Sequence, residues 1–278
     1  MFQTAAAVLL SMTLVSKAPT FHNVKCEGSY THHLQGICVD DSGSIFWSFT
    51  TNLVKTNAKG KVVKKIAVGN HHGDLCHQGG KIYVAVNFGR FNDPKGNADS
   101  WVYVYETKNL KLVSKHPVPK VVHGAGGIGY RQGCFYVVGG LPNKVPVNYV
   151  YEYDAKWRFV KRHIIKSGWT NLGIQTATHA HGRWYFGCYG SPQILLVTDS
   201  KFKMIGRHKY ACSLGIVGVS KSQFLSASGK CTKKSGCRGS AAIAVADKKT
   251  GLRKSPAKGG GVDPDGKGKK AHAKTQSR

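Results

Sequence analysis

Acidic residues are scarce in this sequence: 13 Asp and Glu stand against 41 Lys and Arg, and the formal net charge is +28. Most of the acids fall in predicted turns, which leaves Asp74, Asp93 and Asp99 for a binding site. An ordinary glycosidase needs two carboxylates flanking one bond, and a calcium site needs several oxygen ligands. The shortage disfavours both, whereas the basic excess predicts an anionic partner.

Several sequence motifs are also missing. There is no GxSxG elbow and no Walker loop, so serine-hydrolase and nucleotide chemistry have no support. No CxxC spacing occurs, which disfavours a zinc finger. Cys231 and Cys237 flank a short polar stretch and could close a small disulfide loop in an oxidising compartment, while the other cysteines fit buried free thiols or one or two further bridges. We expect no organic cofactor.

The two ends of the chain differ from the rest. An apolar run from Ala5 to Val15 precedes Ser16-Lys17-Ala18, a small-x-small cleavage pattern. It predicts a signal peptide over residues 1–18, hence a secreted or periplasmic protein, with a buried strand or helix as the alternative. No other segment could cross a membrane. Residues 253–278 are rich in Gly and Lys and predict a basic disordered tail that contributes only +6, so the remaining chain is itself basic.

Residues 21–252 contain an internal repeat. Each unit opens with glycine beside an apolar residue, as in "LQGICVDD" and "HGDLCHQG", and continues with an aromatic or aliphatic run such as "KIYVAV". A third apolar run and a Lys/Arg-rich fourth run follow, and no stretch has sustained helical periodicity. The pattern predicts an all-β fold, a five-bladed β-propeller of four-stranded blades. Residues Phe21–Cys26 align with the fourth runs, so we expect them to be the outer strand of the last blade and to close the ring.

With these repeats the chain resembles secreted propellers of the NHL and YncE-like kind over about residues 21–252. The resemblance implies the fold and no particular activity. Propellers include both binding modules and enzymes, so the function has to be argued from the site.

Polar residues precede the first strand of each unit. In a propeller these loops meet at one end of the central channel, where small-molecule sites normally occur. The loops carry His32 or His33, His71 or His72, His123, Asn171 and Ser213. Three units supply histidine, which predicts a zinc or manganese site with His33, His72 and His123 as ligands and open positions for water or substrate. The alternative is that each histidine bonds the backbone of a neighbouring blade.

The loops between second and third strands add further candidates. Arg90 and Lys144 suit a carboxylated or sulfated ligand. With them we place Asp74, Asn171 and Gln175 in the substrate-binding set. The predicted catalytic residues are His72, His123 and Tyr189.

Two functions fit these residues. One is an enzyme acting on an anionic saccharide, either uronic or sulfated. It could be a metal-dependent hydrolase, or a lyase in which a metal or cation neutralises the carboxylate and His or Tyr removes the adjacent proton. The other is a non-catalytic propeller, expected to be a monomer, that binds an anionic polysaccharide or another cell-surface anion. Lysines on the fourth strands also protect exposed sheet edges. The absence of a basic-aromatic RNA motif disfavours nucleic acid.

Overall fold

The structure is a computed structural model, and it describes residues 19–220 and 222–255. The predicted signal peptide and residues 256–278 of the predicted tail lie outside the described residues. The described residues form strands and no helix, which confirms the all-β prediction for them. They therefore include no helix able to span a bilayer. The strands are β1 Val24–Lys25, β2 Gly36–Val39, β3 Ile45–Ser48, β4 Thr50–Thr56, β5 Val62–Gln78, β6 Lys81–Asn87, β7 Ser100–Glu106, β8 Leu112–Pro117, β9 Ala125–Arg131, β10 Cys134–Gly139, β11 Asn148–Tyr153, β12 Phe159–Ile165, β13 Asn171–Ala180, β14 Arg183–Tyr189, β15 Ile194–Asp199, β16 Met204–Lys209, β17 Ile216–Gly218, β18 Gln223–Thr232, β19 Gly236–Asp247 and β20 Gly251–Lys254.

Antiparallel pairing joins the strands into separate sheets. Strands β9 to β12 and strands β13 to β16 form two four-stranded meanders, and β2 to β8 form one seven-stranded sheet. The last sheet has the order β1-β19-β18-β17, with β20 also paired to β19. A disulfide joins Cys231 and Cys237 across β18 and β19, and the other cysteines are free thiols.

The seven-stranded sheet differs from the predicted four-stranded units because β5 is one strand of 17 residues. Its first half pairs with β4, and its second half pairs with β6. Thr50, at the start of β4, pairs with His72 and so keeps the chain extended through the connection between two repeat units. One strand thereby serves as the fourth run of the first unit and the first run of the second.

Segments near both ends of the described chain cover the outer edge of β19. In β1, Val24 pairs with Ala241, and in β20, Lys254 pairs with Ala244. Between these two stretches, the Ile243 amide donates to Asn23 Oδ1 at 2.9 Å, and the Ile243 carbonyl accepts from the Ser255 amide at 2.8 Å. β20 therefore continues two residues past the predicted end of the repeat region.

Burial changes from the first to the fourth strand of each unit. First and second strands such as β9 and β10 are almost continuously buried, whereas β16 alternates between half-buried and exposed positions. The first strands contact one another in succession: β2 with β5, β5 with β9, β9 with β13, β13 with β17, and β17 with β2. Glycine permits the close approach, since a Cβ on Gly127 would lie 2.6 Å from the Gln175 carbonyl oxygen.

Apolar side chains fill the spaces between neighbouring sheets. Ala85 and Val102 of the seven-stranded sheet pack against Ile128 and Phe135 of the sheet formed by β9 to β12. Trp47 is fully buried and its indole N–H donates to Thr56 Oγ1 at 3.0 Å. Because sheets face one another on both sides, second and third strands have apolar residues at nearly every position.

Candidate functional site

A cavity of about 360 Å³ lies at the starts of the innermost strands. We call it the mouth pocket. Side chains reach it from the loop before β2, from β5 and β13, from the end of β14 and from the segment after β6. Its polar residues are His33, Gln35, Asn70, His71, Asn87, Gln175 and Tyr189, and its apolar walls include Phe88, Phe91 and Leu172.

Gln35 joins two imidazoles in this pocket. Its side-chain nitrogen lies 2.8 Å from His33 Nε2 and 2.8 Å from His71 Nε2. The same nitrogen lies 3.1 Å from Thr50 Oγ1, and an amide has two protons, so it can donate to two of these three acceptors. At least one of the two imidazoles therefore accepts at Nε2 and, when neutral, carries its proton on Nδ1. Gln35 thus links the two rings at the pocket.

Desolvation keeps these imidazoles neutral. Burial lowers the pKa of His33, and the neighbouring His32 lowers it further. Burial likewise lowers the pKa of His71, with a smaller contribution from His33. Charging one ring would disfavour charging the other. Near neutral pH the pair thus acts through hydrogen bonding rather than through positive charge.

Two amide side chains complete the polar lining. Asn87 is buried and its Nδ2 donates to the Gly89 carbonyl at 2.9 Å, but its Oδ1 has no hydrogen-bond partner. Gln175 is also buried, and its Nε2 donates to the Leu172 carbonyl at 2.7 Å. A buried acceptor without a partner costs free energy, so Asn87 Oδ1 is suited to accept from a ligand.

Aromatic rings form the walls. Phe88 is 44% exposed, which is unusual for so large an apolar side chain. Phe91 packs over Gly124, where a Cβ would collide with its ring. Tyr189 is partly covered, and burial raises the pKa of its hydroxyl. The combination of hydrogen-bonding groups and aromatic faces suits a ligand that is polar at its edges and apolar on one face.

His72, a predicted catalytic and metal-ligating residue, lies outside the pocket lining. It is fully buried, with Nδ1 2.7 Å from the Gly69 carbonyl oxygen and Nε2 2.8 Å from the Tyr105 hydroxyl. Nδ1 must donate to the carbonyl, so Nε2 accepts from Tyr105. Burial lowers the pKa of His72 to about 4. Both nitrogens are occupied within the protein, and His71 takes the place predicted for His72.

His123 likewise makes a structural contact. Its Nδ1 lies 3.0 Å from the Asp93 carbonyl oxygen, and its own carbonyl accepts from the Asn92 amide at 2.9 Å. These bonds attach the segment after β6 to the loop before β9. His33, His72 and His123 are therefore not gathered around one point. Within residues 19–220 and 222–255, no group of three or more His, Cys, Asp or Glu side chains is arranged to hold a metal ion.

The predicted substrate-binding residues are divided among several places. Gln175 lines the mouth pocket, whereas Asn171 lines a neighbouring cavity. Arg90 and Lys144 are exposed and outside the pocket lining. Asp74 is buried, and its Oδ2 accepts from the Ala177 amide at 3.0 Å.

Asp74 is a further buried group of the inner strands. Its Oδ1 has no hydrogen-bond partner, and burial raises its pKa well above the ordinary value. A Cβ on Gly36 would collide with this side chain. Asp74 thus ties β5 to β13 and packs against β2, which is a structural role among the first strands.

Of the predicted site residues, His33, Gln175 and Tyr189 line the mouth pocket. His71, the alternative to His72, also lines it, as does Asn87, which was not among the predicted residues. The β5–β6 pairing shifts between His72 and Leu75, so simple alternation along the strand does not identify the inward histidine. Asn87 can be recognised from the sequence as a candidate site residue, because it is the polar residue at the end of the apolar run "KIYVAVN".

Sheets radiating from adjacent first strands, with a pocket where those strands begin, define a β-propeller-like protein. A solved structure agrees. The chain is similar to the glutaminyl cyclase of Myxococcus xanthus, with a TM-score of 0.55 and 14% identity over 82% of this chain and 100% of that chain. It also matches a chain of a nidogen/laminin complex with a TM-score of 0.43 and 9% identity, over 68% of this chain and 69% of that one. No protein-family model and no curated protein matches the sequence. At 14% identity the likeness to the cyclase shows the fold alone.

Proposed function

We propose that the chain is a secreted, five-bladed β-propeller that binds one sugar unit of an anionic glycan in the mouth pocket. The circular order of contacts among the first strands, ending with β17 against β2, supports five blades and a closed ring. The pairing of β1 with β19 supports an N-terminal contribution to the last blade. The pattern at residues 1–18 supports export.

The observation that carries the proposal is the complementarity of the pocket lining. His33 and His71 line the pocket with neutral imidazoles that can hydrogen-bond a ligand, and Asn87 Oδ1 is a buried acceptor without a partner. Sugar hydroxyls can accept and donate, and the C–H face of a pyranose ring can pack on an aromatic wall such as Phe88 or Tyr189. The net charge of +28 attracts a polyanion to this neutral pocket by long-range steering.

Binding by a panel of uronic and sulfated oligosaccharides to the purified chain tests this function. We expect His71→Ala and Asn87→Ala to weaken binding by about tenfold or more, because each removes a desolvated hydrogen bond. His77→Ala is the matched control, since His77 lines a cavity at the other end of the first strands. Equal affinity in all three variants, or no binding of any oligosaccharide by the wild type, contradicts the proposal.

A lyase is the second candidate, and one observation favours it. Tyr189 and the neutral His71 line the same pocket. When Gln35 donates to His33 and Thr50, His71 has a free lone pair and can act as the base, while the protonated Tyr189 can act as the proton donor. β-Elimination would transfer the proton beside the carboxylate to His71, break the bond from the ring to the leaving oxygen, which takes the Tyr189 proton, and create a carbon–carbon double bond in the uronic acid. Ultraviolet absorbance of that double bond during incubation with uronic polymers distinguishes a lyase from a binder. A peptide with N-terminal glutamine is a useful counter-screen, given the structural neighbour. A zinc or manganese ion stays a prediction, which elemental analysis of the purified chain tests.

A further inference from the structure

A second cavity adjoins the mouth pocket along the edge of β14. It has a volume of about 410 Å³, and its lining includes Trp169, Asn171, Tyr189, Pro192, Arg207 and Lys209. We call it the side groove. The sequence gives no motif for it, because its residues come from three separate loops or strand ends.

Tyr189 connects the side groove to the mouth pocket, since it lines both. Asn171, at the start of β13, pairs with Tyr189 across the sheet and lines the groove. The next residue, Leu172, lines the mouth pocket. The two cavities therefore share Tyr189 and have adjacent residues of β13 in their linings. Such neighbouring cavities suit a ligand longer than one sugar unit.

Trp169 is held in place although it is 40% exposed. Arg207 Nη1 donates to the Ser167 carbonyl at 2.6 Å, and its Nη2 donates to the Trp169 carbonyl at 3.0 Å. These bonds fix the loop that carries the indole ring. A large aromatic ring kept exposed on an ordered loop offers a stacking surface at low entropic cost.

The charge of the side groove complements an anion. Arg207 and Lys209 are among its lining residues, and that lining contains no Asp or Glu. The Arg207 guanidinium already donates to two carbonyls, whereas Lys209 is exposed. Lys209 is therefore the cation that can meet a carboxylate or sulfate on a ligand.

We propose that the side groove is a second glycan subsite, in which Trp169 stacks on the sugar next to the one in the mouth pocket and Lys209 binds its acidic group. This inference rests on the proposed function and adds that the ligand is a chain of at least two units with an anionic group on the second. Affinity then depends on chain length, whereas the mouth pocket alone would bind a monomer and an oligomer alike.

Calorimetric titration of the full chain with galacturonic acid and tetragalacturonate, and with a sulfated galactose and its tetrasaccharide, tests the subsite. We expect Trp169→Ala to weaken tetramer binding by about tenfold and to leave monomer binding unchanged. Lys209→Gln should weaken tetramer binding and reduce its dependence on salt. Phe159→Ala and Lys203→Gln are the matched controls, because both residues are exposed and lie outside the side groove.

The outcomes separate this inference from the proposed function. If His71→Ala weakens tetramer binding while Trp169→Ala behaves like Phe159→Ala, the subsite is refuted and the mouth pocket stands. If neither tetramer binds the wild type, both proposals fail. A single-stranded DNA oligomer is the polyanion control. Binding of that DNA with equal affinity and equal loss in Trp169→Ala would assign the groove to nucleic acid and overturn the glycan subsite.

Discussion

Replacing His72 by Gln should remove a large part of the acid sensitivity of the fold. His72 is fully buried, donates from Nδ1 to the Gly69 carbonyl and accepts at Nε2 from Tyr105, so only the neutral ring fits its surroundings. Burial lowers its pKa from the ordinary value of 6.5 to about 4. An unfolded chain takes up the proton below about pH 6.5, whereas the folded chain resists it until about pH 4.

The sign and size of the effect follow from that difference. Between these pH values the unfolded state binds more protons, so His72 leaves stability intact above pH 6.5 and lowers it as the pH falls towards 4. A shift from 6.5 to about 4 corresponds to a loss of about 3 kcal/mol. Asp74, whose pKa is raised by burial, acts in the opposite direction, because its contribution is lost as the pH rises above its unfolded value.

Urea unfolding followed by tryptophan fluorescence from pH 7.5 to 4 measures the difference between wild type and variant. His72→Gln should cost about 1–2 kcal/mol at pH 7.5, since its amide reproduces the two hydrogen bonds imperfectly. Its free energy of unfolding should then fall less steeply than that of the wild type. Because the wild type loses about 3 kcal/mol through His72 by pH 4, the two curves should cross between pH 6.5 and pH 4, and the variant should be the more stable protein at pH 4 by about 1–2 kcal/mol. The exposed His22→Gln is the control. Parallel curves for wild type and His72→Gln would refute the reasoning.

Three further predictions concern stability. Phe21→Ala should lower the free energy of unfolding by about 3 kcal/mol, because Phe21 is buried in the core between the first and last sheets, while the exposed Phe159→Ala should change it by about 0.5 kcal/mol or less in the same urea assay. Replacing both Cys231 and Cys237 by Ser should cost about 2 kcal/mol, the loop-closure value for so short a loop, and reduction of the wild type should lower its thermal midpoint comparably. Gly36→Ala should cost about 1–3 kcal/mol because its Cβ collides with Asp74, and a thermal midpoint equal to that of the wild type would contradict this packing.

The repeat could be predicted from sequence because each unit repeats the same burial pattern. Runs such as "CFYVVG" lie between two packed faces and become β10, and Lys-rich runs become exposed outer strands such as β12. The continuity of β5 was not predictable, because it depends on the pairing of Thr50 with His72 across the sheet. The local sequence predicts that a segment is a strand, whereas the length of that strand depends on which residues of its partner strands pair with it.

The site was predictable in position and less so in detail. The alignment of units places a histidine of the "NHH" stretch at the channel end, but it does not distinguish His71 from His72, since the register shift before Leu75 decides which ring faces the pocket. His123 has the residue type of a ligand, yet its bond to the Asp93 carbonyl uses it as a clamp for a loop. Hydrogen-bond partners of this kind arise from tertiary contacts and leave no trace in residue spacing.

Asn23 and Ser255 contact Ile243 from consecutive positions along one edge. Extending the two registers places Ser255 opposite Ile243 and Asn23 opposite Ala242. In a chain trimmed to residues 23–255, a peptide bond from Ser255 to Asn23 would join β20 and β1 into one strand and make the backbone cyclic, with loss of the core packing of Phe21. Such a ring could be cut elsewhere, for instance in the loop at residues 141–147, to give a circular permutant that keeps every strand pair described here.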